Sequence, residues 1–281
     1  MIQKSYDNKA TLYLIPTPIG NLEDITIRAL NLLQEVDCLL CEDTRETSVL
    51  LKKYNINNRL ISCHEYNEDK IVEKVLLMLK EGKNIGLVTD QGTPIISDPG
   101  YLLTKEIIKA DYNVVGLPGS TAFVPALIMS GIEPSPFLFY GFLSPKKSKQ
   151  IKELKSLESL KYTIIIYESV HRLKATLNNI LNVLGDRNIA LCRELSKIHE
   201  EIIRGKITDI IPLIETMKGE FVIIIEGNKN NIDYSSLSII EHVKIYTEDG
   251  MSEMEAIKKV AHERKVPKSY IYSEYHNNRG D

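Results

Sequence analysis

Charged side chains follow the ends of several apolar runs in this 281-residue sequence. The segment CEDTRET places Glu42, Asp43 and Arg45 after one such run, and YESVHR places His171 and Arg172 after another. A carboxylate or imidazole next to a hydroxyl can act as a general base, and arginine pairs well with phosphate. Each segment taken alone is also typical of a solvated helix start.

A third charged segment, CRELSKIHEE, carries Arg193, Glu194 and Lys197 after a further apolar run. Three such segments at equivalent strand ends, in two predicted domains, indicate a polar cleft between those domains. A cleft of this kind would suit a polar, anionic substrate.

Three loops of unusual composition also follow predicted strands. Residues 16–21 read PTPIGN, which is not the GxGxxG phosphate cradle of a dinucleotide-binding fold. Residues 90–100 read DQGTPIISDPG, and this mixture of carboxylates, glycines and prolines favours a ligand loop over a structural turn. Residues 118–122 read PGSTA and open a helix that Ser120 or Thr121 could cap, while Gly119 would allow a close approach. Ligands of parallel α/β sheets bind beyond the carboxyl ends of the strands.

The elements that must position these loops alternate between short apolar strands and amphipathic helices. This pattern indicates an α/β domain with a mostly parallel sheet covered on both faces. The strands are predicted at residues 11–16, 36–41, 84–89 and 112–117. The helices are predicted at residues 24–33, 44–54 with Thr44 as N-cap, and 105–110.

A proline-rich stretch at residues 118–136 indicates a crossover into a second α/β domain. There the strands are predicted at residues 137–142, 162–167, 188–192 and 221–226. The helices are predicted at residues 147–160, 171–184 and 206–217. The predicted domains are 1–118, 119–232 and a helical C-terminal extension at 233–281.

The C-terminal extension follows a polar linker at residues 227–236. Ser252 and Glu255 form a predicted capping box that starts a helix through Glu263, and Pro267 precedes a last helix at 268–276. This arrangement is compatible with a helix-turn-helix, and equally with two helices that pack on the body or on a partner subunit.

Composition excludes several classes of protein. Hydrophobic residues at 43% and charged residues at 26% are typical of a globular chain, and a net charge of −3 argues against an all-over basic nucleic-acid binder. No apolar run is long enough for a membrane span, and no signal peptide is visible, so we expect a cytoplasmic protein. Cys38 and Cys41, three apart on a strand, point to opposite faces and are predicted to be buried free thiols rather than metal ligands.

Long consecutive motifs carry a resemblance to a known family. LYLIPTPIGNLEDITIRAL, CEDTRETSVLL, LVTDQGTPIISDPG and PGSTAFVPAL, in this order, resemble the tetrapyrrole-methylase-like superfamily, and within it the ribosomal small-subunit RNA 2′-O-methyltransferases. YESVHRL, CRELSKIHEE and GMSEMEAIKKVA match as well, so the resemblance covers residues 11–276. It implies two α/β domains of the tetrapyrrole methylase type with an interdomain cleft, plus a small all-helical C-terminal extension.

The resemblance also implies a cofactor and a substrate. The cofactor is S-adenosylmethionine, and the substrate is a cytidine of 16S ribosomal RNA near the decoding centre, methylated on its ribose 2′-hydroxyl. The alternative is a tetrapyrrole or another small-molecule acceptor. Relatives suggest a homodimer, and no metal or membrane is expected. Thr93 stands where many relatives have an aspartate, which weakens the case for a tetrapyrrole.

Site residues follow from the family motifs and from the charged clusters. The implied cofactor pocket consists of Pro18, Gly20, Gly92, Thr93, Ile96, Ser120, Thr121, Ala122, Tyr167 and Leu195. Glu194 or Lys197 is predicted beside the acceptor oxygen, and the other candidates for a base are Glu42, Asp43 and His171. The residues predicted to contact RNA are Arg45, Arg172, Arg193, Lys146, Lys147 and Lys149. A solvated helix face is the even alternative for the lysine-rich stretches 144–161 and 258–268.

Overall fold

The computed structural model describes residues 3–5, 7–64, 67–229, 237–248 and 250–277. The chain forms two compact units, residues 1–228 and residues 229–281. The first unit contains two five-stranded sheets. The domain boundary predicted at 118/119 falls between these sheets and stays a prediction.

The first sheet is entirely parallel, with strand order β3-β2-β4-β1-β5. Its strands are β1 Thr11–Leu14, β2 Cys38–Cys41, β3 Leu60–Ser62, β4 Ile85–Leu87 and β5 Asn113–Gly116. The helices of this region are α1 Ile27–Glu35, α2 Thr44–Lys53, α3 Glu68–Lys80 and α4 Tyr101–Lys109. Because apolar cores cover both faces, the central strands β2 and β4 are buried throughout, and β1 is buried over its first half.

Cys38 and Cys41 confirm the prediction of buried free thiols. Both side chains are buried and unpaired with another cysteine, and they belong to the two different cores on opposite faces of β2. Burial raises the pKa of both thiols, which makes them poor nucleophiles.

One local prediction in this region is wrong, and one predicted helix has a different start. Asp43, not Thr44, is the N-cap of α2, since its carboxylate accepts a hydrogen bond from the Arg45 amide at 2.8 Å. The helix predicted at residues 105–110 begins four residues earlier, at Tyr101, because Gly100 with φ of 119° ends the preceding loop. Strand β3 and helix α3 were not predicted from the sequence.

The second sheet is mixed, with strand order β6-β7-β10-β8-β9. Its strands are β6 Phe137–Phe142, β7 Thr163–Ser169, β8 Asn188–Arg193, β9 Glu201–Lys206 and β10 Glu220–Ile225. Only β6 and β7 are parallel, and the other neighbours are antiparallel. The helices are α5 Phe123–Met129, α6 Lys147–Leu157, α7 Val170–Leu184 and α8 Ile207–Ile210.

The helix predicted at residues 206–217 is wrong in its bounds and its regularity. Lys206 ends strand β9, and α8 is a single turn that continues as a 3-10 helix, Ile211–Ile214, with Pro212 near its start. The capping prediction for α5 is also wrong, because Ala122 is its N-cap. Ser120 instead donates its hydroxyl to the Asp24 carbonyl at 3.0 Å.

The second unit contains three helices among its described residues: α9 Ile239–Glu248, α10 Glu253–Arg264 and α11 Lys268–Asn277. They surround a small core that includes Val243, Ile257 and Ile271. The predicted capping box is confirmed, and so are the last two helices, whereas α9 was not predicted. Residues 230–236 of the predicted linker lie outside the described residues. No described helix has the length and apolarity that a membrane span requires.

Candidate functional site

A cavity of about 470 Å³ lies where the loops after β1, β2, β4 and β5 face the second sheet. This volume is in the range of small-molecule and cofactor sites. The residues that line it are Ile19, Glu42, Asp90, Gln91, Gly92, Thr93, Ile96, Ser97, Asp98, Thr121, Ala122, Phe142, Tyr167, Glu168, Ser169, Leu195, Glu220, Phe221 and Val222.

Hydrogen bonds join the three loops that the sequence singled out. Thr17 and Gly92 exchange two backbone hydrogen bonds, at 2.9 and 3.0 Å. The Thr93 hydroxyl donates to the Ser120 carbonyl at 2.8 Å, which ties the loop after β4 to the loop after β5. A β-carbon on Gly119 would lie 2.6 Å from Pro16 Cβ, so glycine is required for this close approach.

Seven of the ten predicted cofactor residues line the cavity: Gly92, Thr93, Ile96, Thr121, Ala122, Tyr167 and Leu195. The other three, Pro18, Gly20 and Ser120, do not line the cavity. Gly20 supports the wall from behind, because a β-carbon there would lie 3.2 Å from the Leu195 carbonyl oxygen and would clash with the stem of Lys197.

Carboxyl groups line one part of the cavity, and the pKa values of three of them are raised. Burial raises the pKa of Asp98 to about 6, and the charges of Glu42 and Asp90 act in the same direction. Burial also raises the pKa of Glu42 and of Asp90, each with a contribution from a neighbouring carboxylate. Glu42 was among the predicted bases, whereas Asp90 and Asp98 were not singled out from the sequence. The sequence feature that could have identified them is their position at the start and near the end of the acidic loop DQGTPIISDPG.

Two other predicted bases lie outside the lining set. Asp43 forms a bidentate pair with Arg45, and the hydrogen bonds from Arg45 lower the pKa of Asp43 to about 2. His171 is exposed in the first turn of α7. Among the cavity-lining residues, Glu42 is therefore the one member of the predicted set of bases.

Glu194 and Lys197 also lie outside the lining set, on either side of Leu195. Lys197 Nζ lies 3.2 Å from Glu194 Oε1 and 2.8 Å from Glu220 Oε2. Glu194 Oε1 also accepts the Glu220 amide at 3.0 Å. Hydrogen bonds from Glu220 and Lys197 outweigh burial and lower the pKa of Glu194, so it is ionised at neutral pH.

Among the residues predicted to contact RNA, two arginines are held by hydrogen bonds to the backbone, and three lysines are exposed. Arg172 donates to the Leu143 carbonyl at 2.7 Å, and Arg193 donates to the Lys218 carbonyl at 2.6 Å. Each arginine also pairs with a glutamate. The exposed cations at the N-terminus of α6 are Lys146, Lys147 and Lys149.

Comparison with known proteins shows the family to which this fold belongs. The model of the family described as Tetrapyrrole (Corrin/Porphyrin) Methylases matches residues 11–211. A Bacillus subtilis protein named ribosomal RNA small subunit methyltransferase I is 46% identical over 98% of both chains. A protein of the same name from Halalkalibacterium halodurans is 44% identical over 98% of both chains. The Thermotoga maritima protein of that name is 44% identical over 78% of this chain and 99% of its own length.

Solved structures share the fold at low sequence identity. A cobalt precorrin-4 methyltransferase matches with a TM-score of 0.57 and 19% identity, over 80% of this chain and 98% of its own. A Thermus thermophilus uroporphyrin-III C-methyltransferase, solved with S-adenosyl homocysteine, matches with a TM-score of 0.57 and 16% identity, over 77% of this chain and 97% of its own. The chain belongs to the tetrapyrrole methylase family, in the group formed by the relatives called ribosomal RNA small subunit methyltransferase I.

Proposed function

We propose that this chain transfers a methyl group from S-adenosylmethionine to the ribose 2′-hydroxyl of a cytidine in 16S ribosomal RNA, near the decoding centre. The relatives that match almost the full chain carry the name of a small-subunit ribosomal RNA methyltransferase. The observation that carries the proposal is the cavity, which combines a compact acidic wall with an apolar one.

The residues present fit this cofactor. Its sulfonium and ammonium groups are cationic, and Glu42, Asp90 and Asp98 supply the complementary charge. The apolar side chains of Ile19, Leu195 and Val222 would cover the adenosine. Gly92 has a φ of 87°, and a β-carbon there would lie 3.3 Å from Ile19 Cγ2, so the loop would lose its shape with a larger residue.

The bound cofactor supplies an activated methyl group on a cationic sulfur. The protein's part is to hold the ribose hydroxyl in line with that methyl, and positioning of this kind is worth roughly 7–11 kcal/mol. A base near the hydroxyl oxygen accelerates the attack by taking up its proton. Glu42 fits this role best among the predicted bases, because it lines the cavity and its pKa is raised towards neutrality.

The acidic wall also limits which part of an RNA enters the cavity. Phosphates are repelled by Glu42, Asp90 and Asp98, so the ribose and base are favoured inside and the backbone outside. Lys146, Lys147 and Lys149 are exposed and would neutralise that backbone. A homodimer in the cytoplasm, acting on the small ribosomal subunit, completes the proposal.

A tetrapyrrole acceptor is the alternative. The carboxylate-rich members of that class would meet the same repulsion from the acidic wall, which counts against them.

Methyl transfer from labelled S-adenosylmethionine tests the proposal. The acceptors are unmodified small ribosomal subunits, naked 16S ribosomal RNA and a tetrapyrrole precursor, and Glu42→Gln is assayed beside the wild type. Label on one ribose 2′-oxygen is the expected result. Label on the tetrapyrrole alone, or no binding of the cofactor in calorimetry, would overturn it.

A further inference from the structure

Phe142 lines the cavity although 53% of its surface is exposed. Its ring meets Tyr167 edge-on, with centroids 5.6 Å apart and an interplanar angle of 68°. Tyr167 in turn contacts Phe139 at 5.0 Å. Phe142 is therefore the open end of an aromatic row, and half of its apolar surface has no cover in the described part of the chain. An uncovered ring in a cavity is typical of a ligand contact.

A β-bulge places Phe142 on this face of the sheet. Phe139 pairs with Ile165 and Gly141 pairs with Ile166, so Tyr140 is an extra residue in β6. Side chains alternate between faces along a regular strand, and residues 139 and 142 would then point in opposite directions. The bulge moves Phe142 to the face of Phe139, where both rings contact Tyr167. Bulges that re-aim a side chain are frequent next to active sites.

Gly141 makes this bulge possible and links it to the loop after β4. Its φ of 80° lies in the left-handed region that favours glycine. A β-carbon at Gly141 would lie 3.1 Å from the hydroxyl oxygen of Ser97, which also lines the cavity. The backbone of β6 next to Phe142 therefore lies close to the acidic loop, at Ser97.

We propose that Phe142 is a stacking platform for the nucleobase of the nucleotide that is methylated. This inference rests on the proposed function, since it concerns how the RNA acceptor reaches the site. A ribose within a stacked helix cannot enter a cavity of this size, so the target nucleotide must be splayed out. Splayed bases are held by aromatic side chains, and each stacked base contributes about 1–3 kcal/mol to binding.

The exposure of Phe142 distinguishes the acceptor base from the adenine of the cofactor. A side chain that covers the cofactor is expected to be enclosed by the protein, and among the lining residues Leu195 and Val222 are buried and Tyr167 is partly buried. Phe142 is instead turned to solvent over half its surface. It is thus available to a base that arrives from outside.

Substitutions at Phe142 test the proposal in the full chain. Phe142→Leu keeps apolar volume but removes the flat face, Phe142→Ala removes both, and Phe142→Trp keeps the stacking surface. Phe137→Ala is the matched control, because Phe137 lies on the same strand with 43% exposure and is not in the lining set. The readouts are KM and kcat for unmodified small subunits, filter binding of those subunits without cofactor, and calorimetric affinity for S-adenosylmethionine.

The expected result is a KM for small subunits raised roughly 5- to 140-fold in Phe142→Leu and Phe142→Ala, the range that corresponds to the stacking of one base. The affinity for small subunits in filter binding should fall in parallel, while the affinity of these variants for S-adenosylmethionine stays close to that of the wild type. Phe142→Trp and the control Phe137→Ala should resemble the wild type in all three readouts. Weaker cofactor binding with an unchanged KM would overturn the proposal. If the wild type methylates RNA and Phe142→Leu has an unchanged KM for small subunits, the role of Phe142 is refuted and the proposed function is not. If the wild type methylates no RNA, the proposed function is refuted as well.

Discussion

Lys197 Nζ contacts Glu194 Oε1 at 3.2 Å and, at 2.8 Å, the carboxylate of Glu220, the first residue of β10. Lys197 therefore joins the start of the loop after β8 to the neighbouring strand β10. Glu194 and Ser196 have φ values of 50° and 63°, so this loop is held in a conformation that the backbone does not favour by itself. Leu195, between them, is part of the cavity wall.

Replacement of Lys197 by methionine should loosen that wall. We expect weaker binding of S-adenosylmethionine and a free energy of unfolding lowered by about 1.5 kcal/mol, the lower end for hydrogen bonds to charged groups, since the pair is partly exposed. Calorimetry and urea denaturation measure the two effects. Lys174→Met is the matched control, because Lys174 pairs with Glu215 at 2.8 Å on the surface, with both side chains more than half exposed. Unchanged cofactor affinity with a loss confined to kcat would instead give Lys197 a place beside the reacting atoms.

Gly20→Ala should damage the same wall by a different route. The added β-carbon would meet the Leu195 carbonyl at 3.2 Å and the stem of Lys197, which must shift. Overpacking of this kind destabilises by about 1–3 kcal/mol, and the displaced Leu195 should weaken cofactor binding. Gly116→Ala is the control, since a β-carbon there has no described atom within 4 Å. Equal melting temperatures and cofactor affinities for the two variants would rule out this role for Gly20.

The pKa of Asp98 predicts how stability depends on pH. Burial raises it from 3.8 in the unfolded chain to about 6, so the folded state holds its proton more tightly than the unfolded state does. The stabilisation is complete below pH 3.8 and is lost as the pH rises through 6. Asp98→Asn should therefore match the wild type in free energy of unfolding near pH 4 and exceed it at pH 7.5. The exposed Asp111→Asn controls for the loss of one charge.

The same variant should bind the cationic cofactor less well at pH 7.5, where Asp98 is ionised in the wild type. Near pH 5 the two proteins should bind it more equally, because wild-type Asp98 is then largely protonated. Calorimetry at the two pH values measures the difference. A cofactor affinity that depends on pH equally in both proteins would show that the Asp98 carboxylate does not contact the cation.

The apolar runs of the sequence predicted the strands whose side chains are buried on both faces, such as β2 and β7. They did not predict β3, which has only three residues and one of them buried, or β9, none of whose six residues is fully buried. Strand β9 reads EIIRGK and has exposed residues at both ends, so its pattern also fits a polar segment before a helix. The two apolar residues of β9, Ile202 and Ile203, are too few to give a strand signal.

The loops of the site were predictable because strand ends in a parallel sheet share one edge, and their glycines and prolines are unusual. Phe142 was not, since its place depends on one extra residue, Tyr140, opposite the regular strand β7. The enclosure of Asp98 depends on contacts between two sheets, which no local pattern encodes. The part of the site that lies within one loop was accessible from local sequence patterns, whereas Tyr167 and Leu195, across the cavity, came only from the family resemblance.

The lysines at the start of α6 should contribute to RNA binding through their charge. Lys146, Lys147 and Lys149 are exposed there, where they can reach a phosphate backbone. Replacement of all three by alanine should reduce the slope of log affinity against log salt by about 0.7–0.9 for each phosphate that the lysines neutralise. Filter binding of small subunits over a range of salt measures this slope. An unchanged slope would assign these lysines to a solvated helix face, and Lys105→Ala, on α4, serves as the surface control.

His242 should make the C-terminal unit sensitive to acid. Its ring is fully buried, with Arg264 Nε donating to Nδ1 at 3.1 Å and Glu263 Oε2 3.0 Å from Nε2. Because Nδ1 accepts from a cation, the ring is neutral with its proton on Nε2. Burial lowers the pKa of His242, and the charge of Arg264 acts in the same direction, although Glu263 opposes them.

A histidine whose pKa is depressed on folding adds stability above its unfolded pKa of 6.5, and that stability is lost as the pH falls. Hydrogen exchange of the α9 and α10 amides should therefore accelerate between pH 7 and pH 5, after correction for the intrinsic rate. His242→Gln should lower protection at pH 7 and remove most of this dependence, because glutamine does not titrate. His276→Gln is the control, since His276 lies partly exposed beside Glu253 on α10. Loss of the pH dependence of exchange in His276→Gln but not in His242→Gln would assign that dependence to His276 at the surface instead.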